Sequence, residues 1–320
     1  MRLSVQLAFV LLAALLIPPA AGQTKSPPQA EQIARLIRQL DADRYESREQ
    51  AARALDEIGT TALPALRKAR ESGSAEVRWR ARALVAEMTE GPRRRELTAF
   101  CSQSDERLDI EYGMWLIARI VDPEADRAAI AKQLDALAER VRERLGKGVD
   151  PATADPQAAV AALRQVLFTD EGFTGNPDDY FNPENNAVNR VLASRKGLPI
   201  ILSHITIAVA RRVKIPIVGV PVSPYIVKYD GARAPAGFAK DDIYFHPYEN
   251  GRLLSREDRI KDFAVDDPDG MEPEGPKRQI LLRMLRNLST ACTNRGQGEK
   301  LQRAEELFNL LETLGPEESP

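Results

Sequence analysis

The stretch that decides the fold runs from residue 173 to 212 and reads FTGNPDDYFNPENNAVNRVLASRKGLPIILSHITIAVARR. Its first part is rich in Gly, Asn, Pro and Asp, which favour turns, and this predicts a structured loop over residues 172–186. An apolar segment follows from Pro199 to Val213. We predict a helix there, because proline is tolerated in a first helical turn.

The segments on either side of this stretch predict an α+β domain. Three β-rich runs follow the helix, IPIVGVPV at 215–222, YIVKYD at 225–230 and DDIYFHPY at 241–248. Apolar residues at helical spacing predict helices over 109–120 and 128–145 before the loop, and over 279–292 and 299–314 after the strands. Helices combined with short antiparallel strands indicate the α+β class.

The same stretch resembles the SirB-type branch of the transglutaminase-like superfamily. The motif positions of that branch are held by Phe173, Gly175, Asn176, Tyr180, Asn185, Val191, Leu192, Arg195, Gly197, Leu198, Pro199, Leu202 and Ser203. Further resemblance lies in EYGMWLIARIVDPEAD at 111–126, DIYFHPYENGRLLS at 242–255 and RMLRNL at 283–288, so that it covers roughly residues 105–314. It implies a transglutaminase-like domain over 93–278. The helix pair over 279–314 resembles a single tetratricopeptide-like hairpin, which serves either as a packing element or as a peptide groove, and a polar tail follows at 315–320.

The resemblance also implies that the usual nucleophile is missing. Transglutaminases and related proteases use a thiolate at the start of a buried helix, a His on a neighbouring strand and an orienting acid. The nucleophile position falls near Pro199, which has no reactive group, while Cys101 and Cys292 lie about 100 residues away on either side. His246 stands where the family usually has an aspartate. We therefore expect a pseudoenzyme.

Two alternatives stay open for this region. A hydrolase or acyl-transferase would need Ser203 and His246 as its catalytic pair, although a serine in such a helix is more often bonded to the backbone. His204 is expected to be a partly buried, hydrogen-bonded side chain. The motif residues Asn176, Tyr180, Asn185, Arg195, Gly197 and Pro199 either form a recognition surface beside the former cleft or fix the loop against the helix that follows.

The N-terminal part predicts export and a helical segment. Arg2, the apolar run from Leu7 to Ile17 and the small residues 20–22 predict a secretory signal over 1–22, followed by a linker over 23–30. The apolar run is too short to span a bilayer. Residues 31–90 resemble HEAT-type helical repeats, in which Arg48 is echoed by Arg78. Such a segment serves either as a docking surface for a protein or as a cap on the following domain.

Composition narrows the remaining function classes. With 45 basic against 47 acidic residues, the chain lacks the basic excess that nucleic-acid binding requires. Two cysteines, two histidines and no CxxC or HExxH pattern argue against a usual zinc site, and the Asp178, Asp179, Asn182 and Asn186 cluster lacks EF-hand spacing. Whether Cys101 and Cys292 pair stays open. We expect a periplasmic or secreted, non-catalytic chain that binds a protein or peptide or serves as a scaffold. It should need no cofactor or metal and should have no membrane span after signal cleavage.

Overall fold

A computed structural model describes residues 28–265, 267–273 and 275–315. The predicted signal and most of the predicted tail lie outside these residues. The chain divides into two compact units, Met1–Arg94 and Arg95–Pro320. In the described part, no helix is both long and apolar enough to cross a membrane.

The first unit is helical. It contains α1 (Pro28–Gln39), α2 (Tyr45–Ile58), a 3-10 turn (Gly59–Ala62), α3 (Leu63–Ala69) and most of α4 (Ala75–Cys101). Its apolar core includes Leu40, Leu55, Leu66 and Ala81, all of which are fully buried.

Two arginines of the first unit make the same contact thirty residues apart. The Nη1 atom of Arg48 donates to the carbonyl oxygens of Ala42 and Asp43, at 2.7 and 3.0 Å. The Nη1 atom of Arg78 donates to those of Ser72 and Gly73, at 2.7 and 2.8 Å. Each arginine therefore ties the start of its helix to the turn that precedes it.

Helix α4 differs from the expectation. The sequence pattern predicts a break between residues 90 and 93, whereas α4 continues through Pro92 to Cys101. Proline removes one helical hydrogen bond and disfavours the helical conformation of the residue before it, but its own fixed φ of about −65° is compatible with a helix. The first-unit boundary therefore falls inside a helix.

The second unit combines helices with two small sheets. Its helices are α5 (Ile110–Val121), α6 (Arg127–Leu145), α7 (Pro156–Arg164) with a π-helical turn (Gln165–Asp170), α8 (Val188–Ser194), α9 (Pro199–Arg212), α10 (Arg256–Phe263), α11 (Lys277–Asn294) and α12 (Gly298–Thr313). Asp109, Asp126 and Asp155 cap α5, α6 and α7 through their side chains. The helices predicted over 109–120, 128–145, 199–213, 279–292 and 299–314 are all present.

The larger sheet is antiparallel in the order β3 (Ile217–Val220), β4 (Ile226–Tyr229), β5 (Ile243–His246) and β6 (Arg252–Leu253). Val227 pairs with both Gly219 and Phe245, which fixes the register of β3, β4 and β5. A second, parallel pair joins β1 (Thr174–Gly175) to β2 (Lys196–Gly197). The unit is therefore mainly helical with a small antiparallel sheet, as the sequence predicts.

Both faces of the larger sheet are covered. Val227, Tyr229 and Phe245 belong to the main core, which also holds the apolar residues of α9. Ile226 and Tyr244 belong to a separate cluster with Leu254 and Met271 on the opposite face. Successive side chains of β4 and β5 thus point alternately toward the two cores.

Helices α7, α8 and α10 are not among the elements that the sequence pattern predicts. Helix α10 begins with a capping box, in which the Ser255 hydroxyl accepts from the Asp258 amide while the Asp258 carboxylate accepts from the Ser255 amide. Its Ser-Arg-Glu-Asp sequence carries that signal, because a serine followed three residues later by an acid marks a helix start.

Candidate functional site

The site predicted around Pro199 is built on the start of α9. The short parallel pair places Gly197 beside Gly175, and the Leu198 amide donates to the Asn185 carbonyl at 3.2 Å. A Cβ at Gly197 would lie 2.8 Å from Val191, so only glycine lets α8 approach the strand this closely. Pro199 is the first residue of α9 and is buried.

A hydrogen-bonded clamp holds the loop that precedes this helix. The Asn185 side chain is 2% exposed. Its Oδ1 accepts from the Asn176 amide group at 3.0 Å, and its Nδ2 donates to the carbonyls of Asp179 and Tyr180 at 2.7 and 3.1 Å. The side chains of Asn176 and Asn185 therefore form hydrogen bonds within the loop itself.

The clamp presents two aromatic rings at the surface. Tyr180 and Phe181 are 42% and 45% exposed, and their rings meet edge to face at 5.3 Å. Asp179, on the same loop, forms an ion pair with Arg295 of the segment between α11 and α12. The motif tyrosine thus lies on a surface that the loop holds in place.

Arg195 has a structural role. It ends α8 in the left-handed conformation with φ 63°. Its guanidinium pairs with Glu171 at 2.5 Å and lies 4.8 Å from the centroid of the Phe173 ring. Partial burial lowers the pKa of this guanidinium below its ordinary value. Because the ordinary value is far above neutral pH, the group stays positively charged.

The start of α9 is covered by the turn after β5. A Cβ at Gly175 would meet the Tyr248 ring at 2.5 Å, so this ring lies directly on the β1 backbone. The turn Pro247–Glu249 contacts both α9 and β1. Every residue from Pro199 to Thr206 is buried. The position of the family nucleophile is therefore enclosed by packed side chains.

Ser203 and His246 are not brought together. Ser203 is fully buried, and its hydroxyl has no hydrogen-bond partner in the described part of the chain, neither the backbone bond expected for it nor a bond to His246. Strand alternation places His246 on the same sheet face as Tyr244, away from α9. Its ring packs 6.0 Å from the Phe263 ring of α10.

The environment of His246 favours its neutral form. The residue is 1% exposed, and burial lowers the pKa of the imidazole below its ordinary value, against the opposing effect of Glu249. Glu249 Oε1 lies 3.9 Å from His246 Nε2. A neutral imidazole can act as a base, but this one is enclosed on the far face of the sheet and is therefore too far away to take a proton from the α9 hydroxyl.

His204 and Arg283 lie beside Tyr225 at the start of β4. The His204 ring is 3% exposed and lies 5.5 Å from the Tyr225 ring. Arg283 of α11 lies 5.2 Å from the same ring and donates to the carbonyls of Pro221 and Val222, at 3.1 and 2.8 Å. Sequence reasoning did not single out Arg283 or Tyr248, although both fall in segments that carry the family resemblance.

Both cysteines are buried and free, which answers the question of a disulfide in this structure. Burial raises the pKa of the Cys101 thiol to about 12 and also raises the pKa of Cys292. Both groups are therefore protonated at neutral pH and unsuited to nucleophilic attack. Among the described residues, no group of three or more His, Cys, Asp or Glu side chains is placed to hold a metal ion.

Comparisons with known proteins agree with this domain. A family model described as transglutaminase-like superfamily matches residues 128–286. A UPF0162 protein of Xylella fastidiosa is 31% identical over 220 residues, covering 65% of this chain and 73% of that protein. A UPF0162 protein of Pasteurella multocida is 28% identical over 92 residues, covering 29% of this chain and 33% of that protein.

A more distant similarity extends to a eukaryotic protein. F-box only protein 21 of Homo sapiens is 24% identical over 243 residues, which covers 69% of this chain and 38% of that protein. No solved structure matches the chain.

Proposed function

We propose, from the premise that this chain belongs to the UPF0162 family and carries a transglutaminase-like domain, that it is an exported, non-catalytic module that binds a protein or peptide. The observation that carries the proposal is the start of α9. A buried proline holds the nucleophile position there, and Tyr248 lies over the neighbouring strand. The start of α9 is thus used for packing.

The binding surface that we assign to this module is the ring pair Tyr180 and Phe181. Aromatic side chains on a fixed loop lose little conformational entropy on binding and dominate the energetics of many interfaces. The Asn185 clamp and the Asp179–Arg295 ion pair supply the necessary rigidity. An apolar segment of a partner is the ligand class that two exposed rings favour.

The finer classification belongs to the same proposal. The motif from Phe173 to Ser203 supports a SirB-type domain, and the antiparallel packing of α11 on α12 supports a tetratricopeptide-like hairpin. The matching contacts of Arg48 and Arg78 support HEAT-like repeats over residues 31–90. A helical repeat with exposed Tyr45 and Trp79 adds a second surface suited to protein docking.

Binding is tested by affinity capture from extracts of the host with the mature chain, comparing wild type with the double variant Tyr180→Ala and Phe181→Ala. Phe238→Ala is the matched control, because Phe238 is a comparably exposed ring at 40% in the same unit. We expect a specific partner to be lost with the double variant and retained with the control. Equal capture by all three proteins contradicts the assigned surface.

Catalysis is tested separately with generic ester and amide substrates. We expect no turnover above the uncatalysed rate, and no change in Ser203→Ala. Turnover that Ser203→Ala abolishes would establish the hydrolase alternative instead.

Export is tested by cell fractionation and by the mass of the mature protein. The proposal places the chain outside the cytoplasm with Gln23 as its first residue. Recovery of the intact chain from the cytoplasm alone would contradict it.

A further inference from the structure

A polar pocket of about 570 Å³ lies on the second unit, beside β4 and β5 on the sheet face that points away from α9. Its floor contains Lys228, Tyr244 and Arg259, and its rim contains Asp230, Lys240 and Asp241. It belongs neither to the enclosed site at α9 nor to the surface proposed for protein binding.

Two cations are buried in the floor. Lys228 is 8% exposed and Arg259 is 7% exposed. The Lys228 ammonium donates to Asp242 Oδ2 at 2.7 Å and to the Met271 carbonyl at 2.9 Å. Burying a cation costs free energy unless the cation is paired and hydrogen-bonded. The fold therefore supplies specific partners for both of these side chains.

Arg259 is also held in place by hydrogen bonds. Its Nε donates to the Pro268 carbonyl, one Nη to the Leu254 carbonyl and the other to Asp269 Oδ1, at 2.9, 3.2 and 2.8 Å. Its guanidinium lies 4.2 Å from the centroid of the Tyr244 ring. The floor is therefore a rigid group of donors.

Some N–H groups of Lys228 and Arg259 have no acceptor among the described residues. An ammonium has three N–H groups and a guanidinium has five. Within the described residues Lys228 uses two and Arg259 uses three, so that one and two N–H groups remain. At the rim, Lys240 and Asp241 are exposed and make no ion pair or hydrogen bond with any described residue.

The mixed charge limits the ligand. Four carboxylates and three cations line the pocket, so a simple anion meets repulsion from the carboxylates and a simple cation meets it from the buried floor. A sugar ring usually stacks on a free aromatic face, but the Tyr244 ring has Arg259 at 4.2 Å and Lys228 Nζ at 5.5 Å from its centroid. A ligand that carries an ammonium and a carboxylate group a few bonds apart avoids each of these conflicts.

We propose that this pocket binds a small zwitterion of the α-amino acid class. The carboxylate accepts the remaining N–H groups of Lys228 and Arg259, and the ammonium donates to the rim carboxylates Asp230 and Asp241. A volume of about 570 Å³ accommodates a free amino acid or a dipeptide and lies within the usual range of small-molecule sites.

Isothermal titration of the full mature chain with each of the common L-amino acids in turn tests the proposal. We expect at least one to bind with one-to-one stoichiometry. Its N-acetyl form and its amide form each remove one charge, and both should bind about tenfold more weakly or not at all. Acetate, inorganic phosphate and methylammonium serve as single-charge probes and should not compete.

Substitutions at the rim and at the floor locate the site. Asp241→Asn should weaken binding about five- to tenfold with no change in thermal stability, because this side chain is exposed. Lys228→Met should abolish binding, and circular dichroism checks that this variant folds. Asp56→Asn, in the first unit, is the control and should bind as wild type.

Three results would overturn the proposal. They are the absence of binding by every amino acid, equal binding of the charged and capped forms, and binding that Asp241→Asn leaves unchanged. Because the pocket lies away from Tyr180 and Phe181, none of these results bears on the proposed protein-binding surface.

Discussion

Replacing Asn185 by alanine should destabilise the second unit, whereas the same change at Asn186 should not. The two neighbours are equally buried, at 2% and 1% exposure. The Asn185 side chain makes three hydrogen bonds, to Asn176, Asp179 and Tyr180. Neither amide atom of Asn186 has a partner among the described residues. The pair therefore isolates hydrogen bonding from burial and from side-chain size.

The expected magnitude follows from the bond count. Each intramolecular hydrogen bond contributes about 1 kcal/mol net, so Asn185→Ala should lower the free energy of unfolding by about 3 kcal/mol. For a unit of this size that corresponds to a fall in Tm of about 6–12 °C. Asn186→Ala loses some packing but removes a buried polar group without partners, so its free energy of unfolding should stay within about 1 kcal/mol of wild type.

The free energy of unfolding of both variants and of the wild type is measured by urea unfolding of the full chain, with far-UV circular dichroism as the signal. Thermal melting gives the Tm of the same three proteins. The slope of free energy against urea should be the same in all three proteins, so that the midpoint alone reports stability. Equal losses in the two variants would show that burial, and not the hydrogen-bonded clamp, is what stabilises this loop. In that case the rigidity assigned to Tyr180 and Phe181 would lose its basis.

Three further predictions concern the core around α9 and the sheet. Because burial lowers the pKa of His246 in the folded chain below the ordinary 6.5, the unfolded chain takes up a proton first as the pH drops. The free energy of unfolding should therefore fall below about pH 6.5, by at most about 1.4 kcal/mol per pH unit. His246→Leu should remove this part of the pH dependence, and an unchanged profile would contradict the prediction. Gly175→Ala should lower the free energy of unfolding in urea by about 1–3 kcal/mol, because the added methyl group would overlap the Tyr248 ring. Gly298→Ala is the control and should leave it unchanged, because a Cβ there would meet no atom within 4 Å. Equal stabilities of the two variants would refute the close packing at Gly175. Ser203→Ala should leave the melting temperature unchanged or raise it, because the buried hydroxyl has no hydrogen-bond partner in the described chain, and a clear loss of stability would indicate a partner for that hydroxyl.

The motif around residues 173–212 predicted much of the local structure of the site. Gly197 and Pro199 lie where the sequence places them, at a close strand approach and at a helix start. Asn176 and Asn185 turn out to fix the loop, which is one of the two alternatives that their residue types allow. Choosing between these alternatives required the hydrogen bonds, because an asparagine in a turn-rich loop can serve the backbone or a ligand equally well.

The position of His246 could not be derived from sequence. Alternation of polar and apolar residues tells which face of a strand is buried only when the other face is exposed. Every residue of β4 and β5 is buried, including Lys228 and His246, since the sheet is covered by α9 on one side and by the α10 region on the other. The pattern Ile-Tyr-Phe-His therefore contains no sign of which residues face α9.

The polar pocket was missed for a related reason. Lys228 sits in an otherwise apolar strand and Arg259 in a charged helix, 31 positions apart in the chain. Their meeting depends on the loop that folds back over the sheet. Composition shows neither the contact nor the buried charge.

The sequence by itself therefore determined the α+β class, the positions of the main helices and strands, and the proline at the start of α9. These depend on local periodicity, turn residues and residue identity. Only the tertiary structure decided that Ser203 and His246 lie on different sides of the sheet, that Tyr248 covers the start of α9, and that Lys228 and Arg259 share one pocket. Such relations depend on which face of each element meets which neighbour, and packing sets that choice only when the whole chain has folded.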